Sequence, residues 1–243
     1  MDVKAVSDRI SAWIFEQVSD ACAAGVVVGL SGGVDSTIVA ALADLGGIEV
    51  RGMILPCESD KRDADDARLV ADEYCSTCCF GDIFPAFEEM QTALDDGFRR
   101  DRLALGNLKA RLRMAALYYE ANRSNALVCG TTNRTEFVLG YFTKHGDGAA
   151  DIEPIADVWK TDVFDLARYL GVPQCIIDKP PSAGLWEGQT DEGEMGMTYA
   201  EVDASIKRLG DGVADGGIDA RVYRMIHASH HKRTEAPVCR LEE

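Results

Sequence analysis

A doubly wound α/β domain with a mainly parallel sheet is the fold this sequence predicts, and three observations predict it. Short apolar runs of strand length alternate with longer amphipathic patterns of helical period. Residues 26–36, VVVGLSGGVDS, set a glycine-rich turn directly between a strand and a helix. The chain has 243 residues, of which 47% are hydrophobic, enough to bury the core of a single domain spanning 1–243. Such alternation puts helices on both faces of parallel strands. Ligands then bind beyond the carboxyl ends of those strands.

Each element can be read in order. Residues 6–24 carry Ile10, Trp13, Ile14, Val18 and Ala21 at helical spacing, which predicts an opening helix. The first strand follows, interrupted only by Gly29, and Ser36-Thr37 opens an apolar helix over 38–45. A second strand is expected over 48–55 and a helix over 63–74. Residues 79–84 read as a short buried strand, followed by helices over 86–94 and 102–122. A further strand over 126–129 ends in Gly130-Thr131 and leads to a helix over 133–141. Residues 179–197, with Pro180, Pro181 and four glycines, form a long irregular loop, a common form for lids and binding loops. Thr198-Tyr-Ala-Glu201 reads as a capping box. A last helix over 220–231 runs into His230-His231-Lys232-Arg233.

With 41 acidic against 25 basic residues, the net charge of -16 argues against general binding to nucleic acid or to an anionic membrane. No apolar run is long enough for a transmembrane helix, and the acidic, amphipathic start predicts no secretory signal. Eight cysteines then point to reduced thiols in a cytoplasm. Cys22, Cys129 and Cys175 lie in apolar stretches and read as core residues. Cys75-Ser-Thr-Cys78-Cys79 holds one C-x-x-C without a second, so it reads as a helix end entering a buried strand rather than a zinc or iron–sulfur site.

The turn at 31–36 carries the chemistry. Gly32 and Gly33 let backbone amides approach an anion, and the following helix N-terminus favours negative charge. It lacks the lysine of a G-x-x-x-x-G-K-[ST] loop and offers Ser31, Asp35 and Ser36 instead. An aspartate can face phosphates only if it is protonated or shares a cation with them, so Asp35 suggests Mg2+. The pattern resembles the pyrophosphate loop SGG-x-DS of the ATP pyrophosphatase superfamily, whose members cleave ATP between the α and β phosphates and transfer AMP.

Further motifs narrow the superfamily. Gly106-Asn-Leu-Lys-Ala-Arg111-Leu-Arg-Met114, Gly130-Thr131, Gly140-Tyr-Phe-Thr-Lys144-His-Gly-Asp147-Gly, Lys179-Pro-Pro-Ser182 through Trp186 to Asp191-Glu192, and His231-Lys232-Arg233 resemble the NAD synthetase family over residues 26–233. The resemblance implies an adenine nucleotide alpha hydrolase-like fold and an ammonia-dependent ligase. Deamido-NAD, ATP as co-substrate and ammonia would give NAD, AMP and pyrophosphate through an adenylated carboxylate. It also implies that Gly29, Leu30, Ser31, Gly32, Gly33, Val34, Asp35 and Ser36 hold the ATP phosphates, with Thr131, Lys160 and Ser182 completing that site. Asp35 and Glu136 would hold Mg2+ and, with Lys160, carry catalysis. Arg111, Lys144, Asp151, His231 and Lys232 match the deamido-NAD positions. The family is typically a homodimer, to which the 102–122 helix with its Leu105, Leu108, Leu112 and Ala115 stripe can contribute. No glutamine-hydrolysing domain is evident, so the expected nitrogen donor is free ammonia or ammonia delivered by a separate protein.

Plainer readings exist for several of these residues. Asn133-x-x-Glu136 matches a helix N-cap pattern, Lys160 can be a solvated lysine at a helix start, and Arg111 can be surface charge beside Lys109 and Arg113. His231-Lys232 can equally be a tail. Ala149 stands where many relatives carry glycine, and Asn133-Arg134-Thr135 departs from histidine-containing relatives. Another AMP-forming or tRNA-thiolating ligase of the superfamily, or a non-catalytic nucleotide-binding module, are the competing functions.

Overall fold

The computed structural model describes residues 1–94, 101–182, 184, 186 and 188–241. Helix α1 (Val3–Asp20) begins where the Asp2 carboxylate accepts from the amide of Ala5, and it buries Ile14 and Val18. Strand β1 (Gly25–Gly29) and helix α2 (Val34–Leu45) flank the glycine turn. Strand β2 (Val50–Ile54), helix α3 (Lys61–Tyr74) and strand β3 (Thr77–Phe80) follow. Helices α4 (Phe84–Leu94) and α5 (Arg102–Ser124) then lead to strand β4 (Ala126–Val128). The remaining chain is helical: α6 (Arg134–Leu139), α7 (Lys160–Tyr169), α8 (Gln174–Ile177), α9 (Asp191–Met195), α10 (Tyr199–Gly210) and α11 (Gly217–Ala228), with a 3-10 turn over His230–Lys232.

The strands are all parallel, in the order β3-β2-β1-β4. Alternation along β1 sends Val26 and Val28 into a core built with α1, α2, α3 and α7, while Val27 faces the other way toward Ala121 of α5. The sheet is therefore wound on both faces, as expected. Helix α2 is apolar all round because it lies between the sheet and α1, and nine of its twelve residues are buried. Fully burying Ile38 or Leu42 contributes about 1.5–3 kcal/mol each. A third cluster, around Leu139, Met195, Tyr199 and Val222, joins α6, α9, α10 and α11 beyond the sheet. Since β2 lies on one side of β1 and β4 on the other, the strand order reverses at β1, and a crevice opens at its carboxyl end.

Some expectations needed correction. The strand after α3 is an exposed edge, with all four residues of β3 open to solvent, and the chain turns helical at Phe84 rather than ending a strand there. Cys78 and Cys79 are accordingly exposed and Cys75 is half-buried, where burial pushes its thiol up to about 12. Cys22 and Cys175 are also exposed, leaving Cys57 and Cys129 as the buried cysteines. Cys22 sits at φ 50 in the turn after α1, where the chain leaves the core. The 179–197 segment is not wholly irregular, because Thr190 caps α9 within it; positions 183, 185 and 187 of that segment lie outside the described residues.

Candidate active site

At the end of β1 the turn is closed by its own side chains. Ser36 Oγ and Thr37 Oγ1 donate to the Gly33 carbonyl at 3.1 and 2.8 Å, and the Gly33 amide donates to Ser31 Oγ at 3.2 Å. The Gly33 amide is thus held by Ser31 rather than left free in the turn. Gly32 has φ +72, and a Cβ there would lie 2.4 Å from the Asp63 carbonyl oxygen, so only glycine fits. Gly29, Leu30, Ser31, Gly33, Val34, Asp35 and Ser36 line one cleft of about 580 Å³, while Gly32 faces α3 behind it.

The centre of the cleft is a lysine between two carboxylates. Lys160 Nζ lies 2.5 Å from Asp35 Oδ2 and 3.6 Å from Glu136 Oε1, and its side chain is 2% exposed. Burial alone would lower the Lys160 pKa, but the Asp35 and Glu136 charges outweigh it and hold the ammonium well above its ordinary range. Burial pushes the Glu136 carboxyl up to about 8 against the opposing pull of Lys160, with Asp35 and Asp191 adding to the rise. The solvated-lysine alternative for Lys160 is therefore excluded by its burial.

Local structure aims each group. Asn133 and Glu136 do form a capping box: Asn133 Oδ1 accepts from the Glu136 amide at 3.0 Å, and the Asn133 amide donates to Glu136 Oε2 at 3.2 Å. That cap leaves Oε1 facing Lys160, so the capping role orients the carboxylate rather than competing with a role in the cleft. Asn133 Nδ2 also donates to Asp35 Oδ1 at 3.0 Å, tying the start of α6 to the start of α2. The Lys160 backbone amide donates to Thr135 Oγ1 at 3.0 Å. Thr135 in turn donates to Asp203 Oδ1, whose other oxygen takes Thr161 Oγ1 at 2.8 Å and the Thr161 amide at 3.2 Å. Buried Asp203 of α10 thereby locks α6 and α7 in register.

Thr131 and Ser182 line the same cleft, Thr131 from the turn after β4 and Ser182 from the 179–190 loop. Lys179 anchors that loop: Nζ donates to the Gly32 carbonyl at 3.0 Å and pairs with Asp63 at 2.8 Å and Asp66 at 2.6 Å. The other matched positions divide. Lys232 lines the cleft and donates to the carbonyls of Gly140 and Phe142 at 2.8 and 2.7 Å, so it is docked rather than part of a loose tail. Arg111 donates to the Lys144 carbonyl at 3.4 and 3.3 Å, and Lys144 Nζ donates to the His231 carbonyl, which brings these three together away from the cleft lining. Asp151 lies apart from that group, accepting from the Val128 amide at 2.8 Å and from Tyr118 OH at 3.2 Å.

Residue patterns alone missed five groups around the cleft: Lys179, Asp147, Glu153, Tyr199 and Asp203. Asp147 lines the cleft and accepts from the Thr143 amide at 2.9 Å, while burial raises its pKa. Glu153 accepts from the Thr132 amide at 3.3 Å, and burial raises it to about 7. Lys179 and Asp147 stood inside the quoted motifs, and their charge beside Pro and Gly was the available signal. Asp203 had none, because a helical aspartate looks like surface.

Chemically, the cleft can hold an anion at the glycine turn, keep a fixed positive charge beside it, and offer two carboxylates to a hard cation. Among the described residues no three His, Cys, Asp or Glu side chains form a ready metal cage. A carboxylate pair suits Mg2+, which usually takes one or two carboxylates and completes its shell with phosphate oxygens and water.

The NAD synthase family model matches residues 6–236. An NH(3)-dependent NAD(+) synthetase of Carboxydothermus hydrogenoformans is 44% identical over 230 residues, covering 93% of each chain. One from Methanosarcina mazei is 43% identical over 256 residues, covering 98% of each. Among solved structures, the NMN synthetase from Francisella tularensis superposes with a TM-score of 0.92 at 39% identity, covering 99% of this chain and 100% of its own. The NH3-dependent NAD synthetase from Campylobacter jejuni, in complex with the nitrate ion, gives 0.84 at 26% identity with the same coverage. With a family model spanning nearly the whole chain and relatives above 40% identity over 93% and 98% of their length, this protein belongs to the NAD synthase family.

Proposed function

We propose that the protein is a ligase that amidates deamido-NAD to NAD with ammonia, driven by cleavage of ATP to AMP and pyrophosphate. One observation carries the reading: the glycine turn, the Asp35–Lys160–Glu136 group and Lys232 line a single cleft in a chain that matches the family from residue 6 to 236. A carboxylate is a poor electrophile, so the nicotinate carboxylate first attacks the α-phosphorus of ATP. Pyrophosphate leaves, and ammonia attacks the resulting mixed anhydride and expels AMP. Ser31, Ser36 and the α2 N-terminus bind and orient the phosphates. Lys160, fixed and desolvated, offers positive charge where negative charge gathers on the phosphoryl group and costs no reorganisation during reaction. Asp35 and Glu136 are the residues that would hold Mg2+, which when bound neutralises phosphate charge and orients the leaving group.

The relatives' NH(3)-dependent activity supports ammonia as nitrogen donor. A homodimer is supported by α5: Leu105, Leu108 and Leu112 remain half-buried and Tyr119 is 70% exposed, an apolar stripe only partly covered within one chain. Light scattering should then give twice the chain mass. The unpaired cysteines support a reducing, cytoplasmic setting.

A second reading is favoured by the high structural similarity to the Francisella NMN synthetase: amidation of the mononucleotide carboxylate instead. Both are tested by incubating the protein with Mg-ATP, ammonium and either deamido-NAD or nicotinate mononucleotide. The proposal expects NAD, AMP and pyrophosphate in equal amounts, with the dinucleotide much preferred. Preference for the mononucleotide would establish the second reading, and release of ADP would overturn both.

A further inference from the structure

Tyr199, the first residue of α10, is 4% exposed and lies behind the cleft wall, yet it reaches the groups at its centre. Its hydroxyl donates to Asp191 Oδ2 at 2.8 Å and lies 3.5 Å from Glu136 Oε1. The Lys160 ammonium sits 5.1 Å from the centre of its ring. Asp191, 3% exposed, donates its own backbone amide to the Pro181 carbonyl at 3.0 Å, immediately before Ser182. The Tyr199 amide donates to Glu192 Oε1 at 2.9 Å, and the Thr198 to Glu201 capping box fixes the start of the helix.

These contacts solve an electrostatic problem. Lys160 Nζ lies 2.5 Å from Asp35 Oδ2 and 3.6 Å from Glu136 Oε1, and the Asp191 charge adds to the attraction on its ammonium. A lysine set between two carboxylates can lean on either of them. The Tyr199 hydroxyl engages Asp191, and the ring presents its electron-rich face to the ammonium. Lys160 is left leaning on Asp35, the carboxylate that belongs to the phosphate turn.

We propose that Tyr199, held by Asp191, is a positioning residue that keeps the Lys160 ammonium on Asp35 and joins the Pro181–Ser182 loop to the Asp35–Glu136 pair. This inference rests on the ATP-dependent ligase reading for its kinetic arm, while its binding arm stands on its own. Tyr199→Phe retains the ring and removes the hydroxyl that lies between Asp191 and Glu136 Oε1, so that Glu136 competes more strongly with Asp35 for Lys160. The variant should lower kcat about tenfold or more, the effect of losing one hydrogen bond to a charged group, with KM for deamido-NAD within about twofold of the parent.

The binding arm uses calorimetry with a non-hydrolysable ATP analogue, with and without Mg2+. Affinity should fall about tenfold in the presence of Mg2+ and change less than about twofold in its absence. A purely structural role would instead lower the melting temperature and weaken both titrations together. Unchanged kcat with unchanged Mg2+-dependent affinity overturns the proposal. Should Tyr199→Phe fail to fold, Asp191 supplies the second test: Asp191→Asn keeps an acceptor for the hydroxyl and should retain more Mg2+-dependent affinity than Asp191→Ala. Equal losses in those two variants also overturn it. If the parent protein forms no amide product but Mg2+-dependent analogue binding responds as described, the ligase reading fails and the positioning role stands.

Discussion

The glycine turn and the opposite wall of the cleft meet within a few ångströms, yet they are built in contrary ways. The hydrogen bonds that the turn makes within itself join residues two to five apart, Ser31 with Gly33 and Ser36, and Ser36 and Thr37 with Gly33. The facing wall depends on partners far along the chain: Lys160 meets Asp35 across 125 positions and Lys179 meets Gly32 across 147. The difference teaches where geometry ends and electrostatics begin. A short strand-turn-helix can shape an anion site from local contacts, but placing a positive charge beside two carboxylates requires the whole domain.

The largest effect should come from removing that long-range charge. Lys160→Met is expected to reduce kcat about 10²–10³-fold, the scale for losing a preorganised charge donor at a reacting centre. Measuring AMP release would check it, and a loss below about tenfold would mean that the turn works without its facing wall. Next comes the turn itself. Gly32→Ala forces a side chain into φ +72 and against the Asp63 carbonyl, and should cost about 1–3 kcal/mol of stability. A denaturant midpoint equal to the parent's would break the claim that local geometry makes this half.

Lys179→Ala separates the two halves more gently. Its ion pairs are partly solvent-exposed, at 24% for Lys179 and 33% and 18% for Asp63 and Asp66, so the melting temperature should move little. The loop carrying Ser182 would lose its anchor on Gly32, and KM for ATP should rise about tenfold with kcat nearly unchanged. A fall in kcat instead would assign Lys179 to the chemical step.

The smallest effect concerns Glu153, below the turn that follows β4. Its carboxyl is raised by burial to about 7, despite the Thr132 amide that favours the charged form, from an ordinary value of 4.5. The folded state thus holds this proton more tightly than the unfolded chain. The stabilisation is complete below about 4.5 and is lost as pH rises through about 7. Glu153→Gln should therefore raise the melting temperature at pH 8 and lose that advantage toward pH 5. A difference independent of pH would show that the carboxylate is not strained.

How much could be read in advance follows the same division. The turn, the capping boxes at Asn133 and Thr198, and the alternation of strands and helices are local patterns, and each appeared where expected. Edge or interior position is not local, so β3 read as buried and Cys22 and Cys175 read as core when all are exposed. Tyr199 and Asp203 were invisible for a related reason. A tyrosine opening a helix and an aspartate within one acquire meaning only when Lys160 and Thr135 arrive from other elements.

Hydrophobic periodicity, turn chemistry and capping act over a few residues, so the amino-acid order was enough to determine the α/β class, the glycine turn between β1 and α2, and the family motifs. Tertiary structure decided the rest. Only folding set Lys160 between Asp35 and Glu136, clamped the 179–190 loop to Gly32 through Lys179, and turned Glu136 from a helix cap into a cap that also faces the cleft. Charge interactions in a buried site depend on distance and desolvation, and neither exists until distant segments have closed over one another.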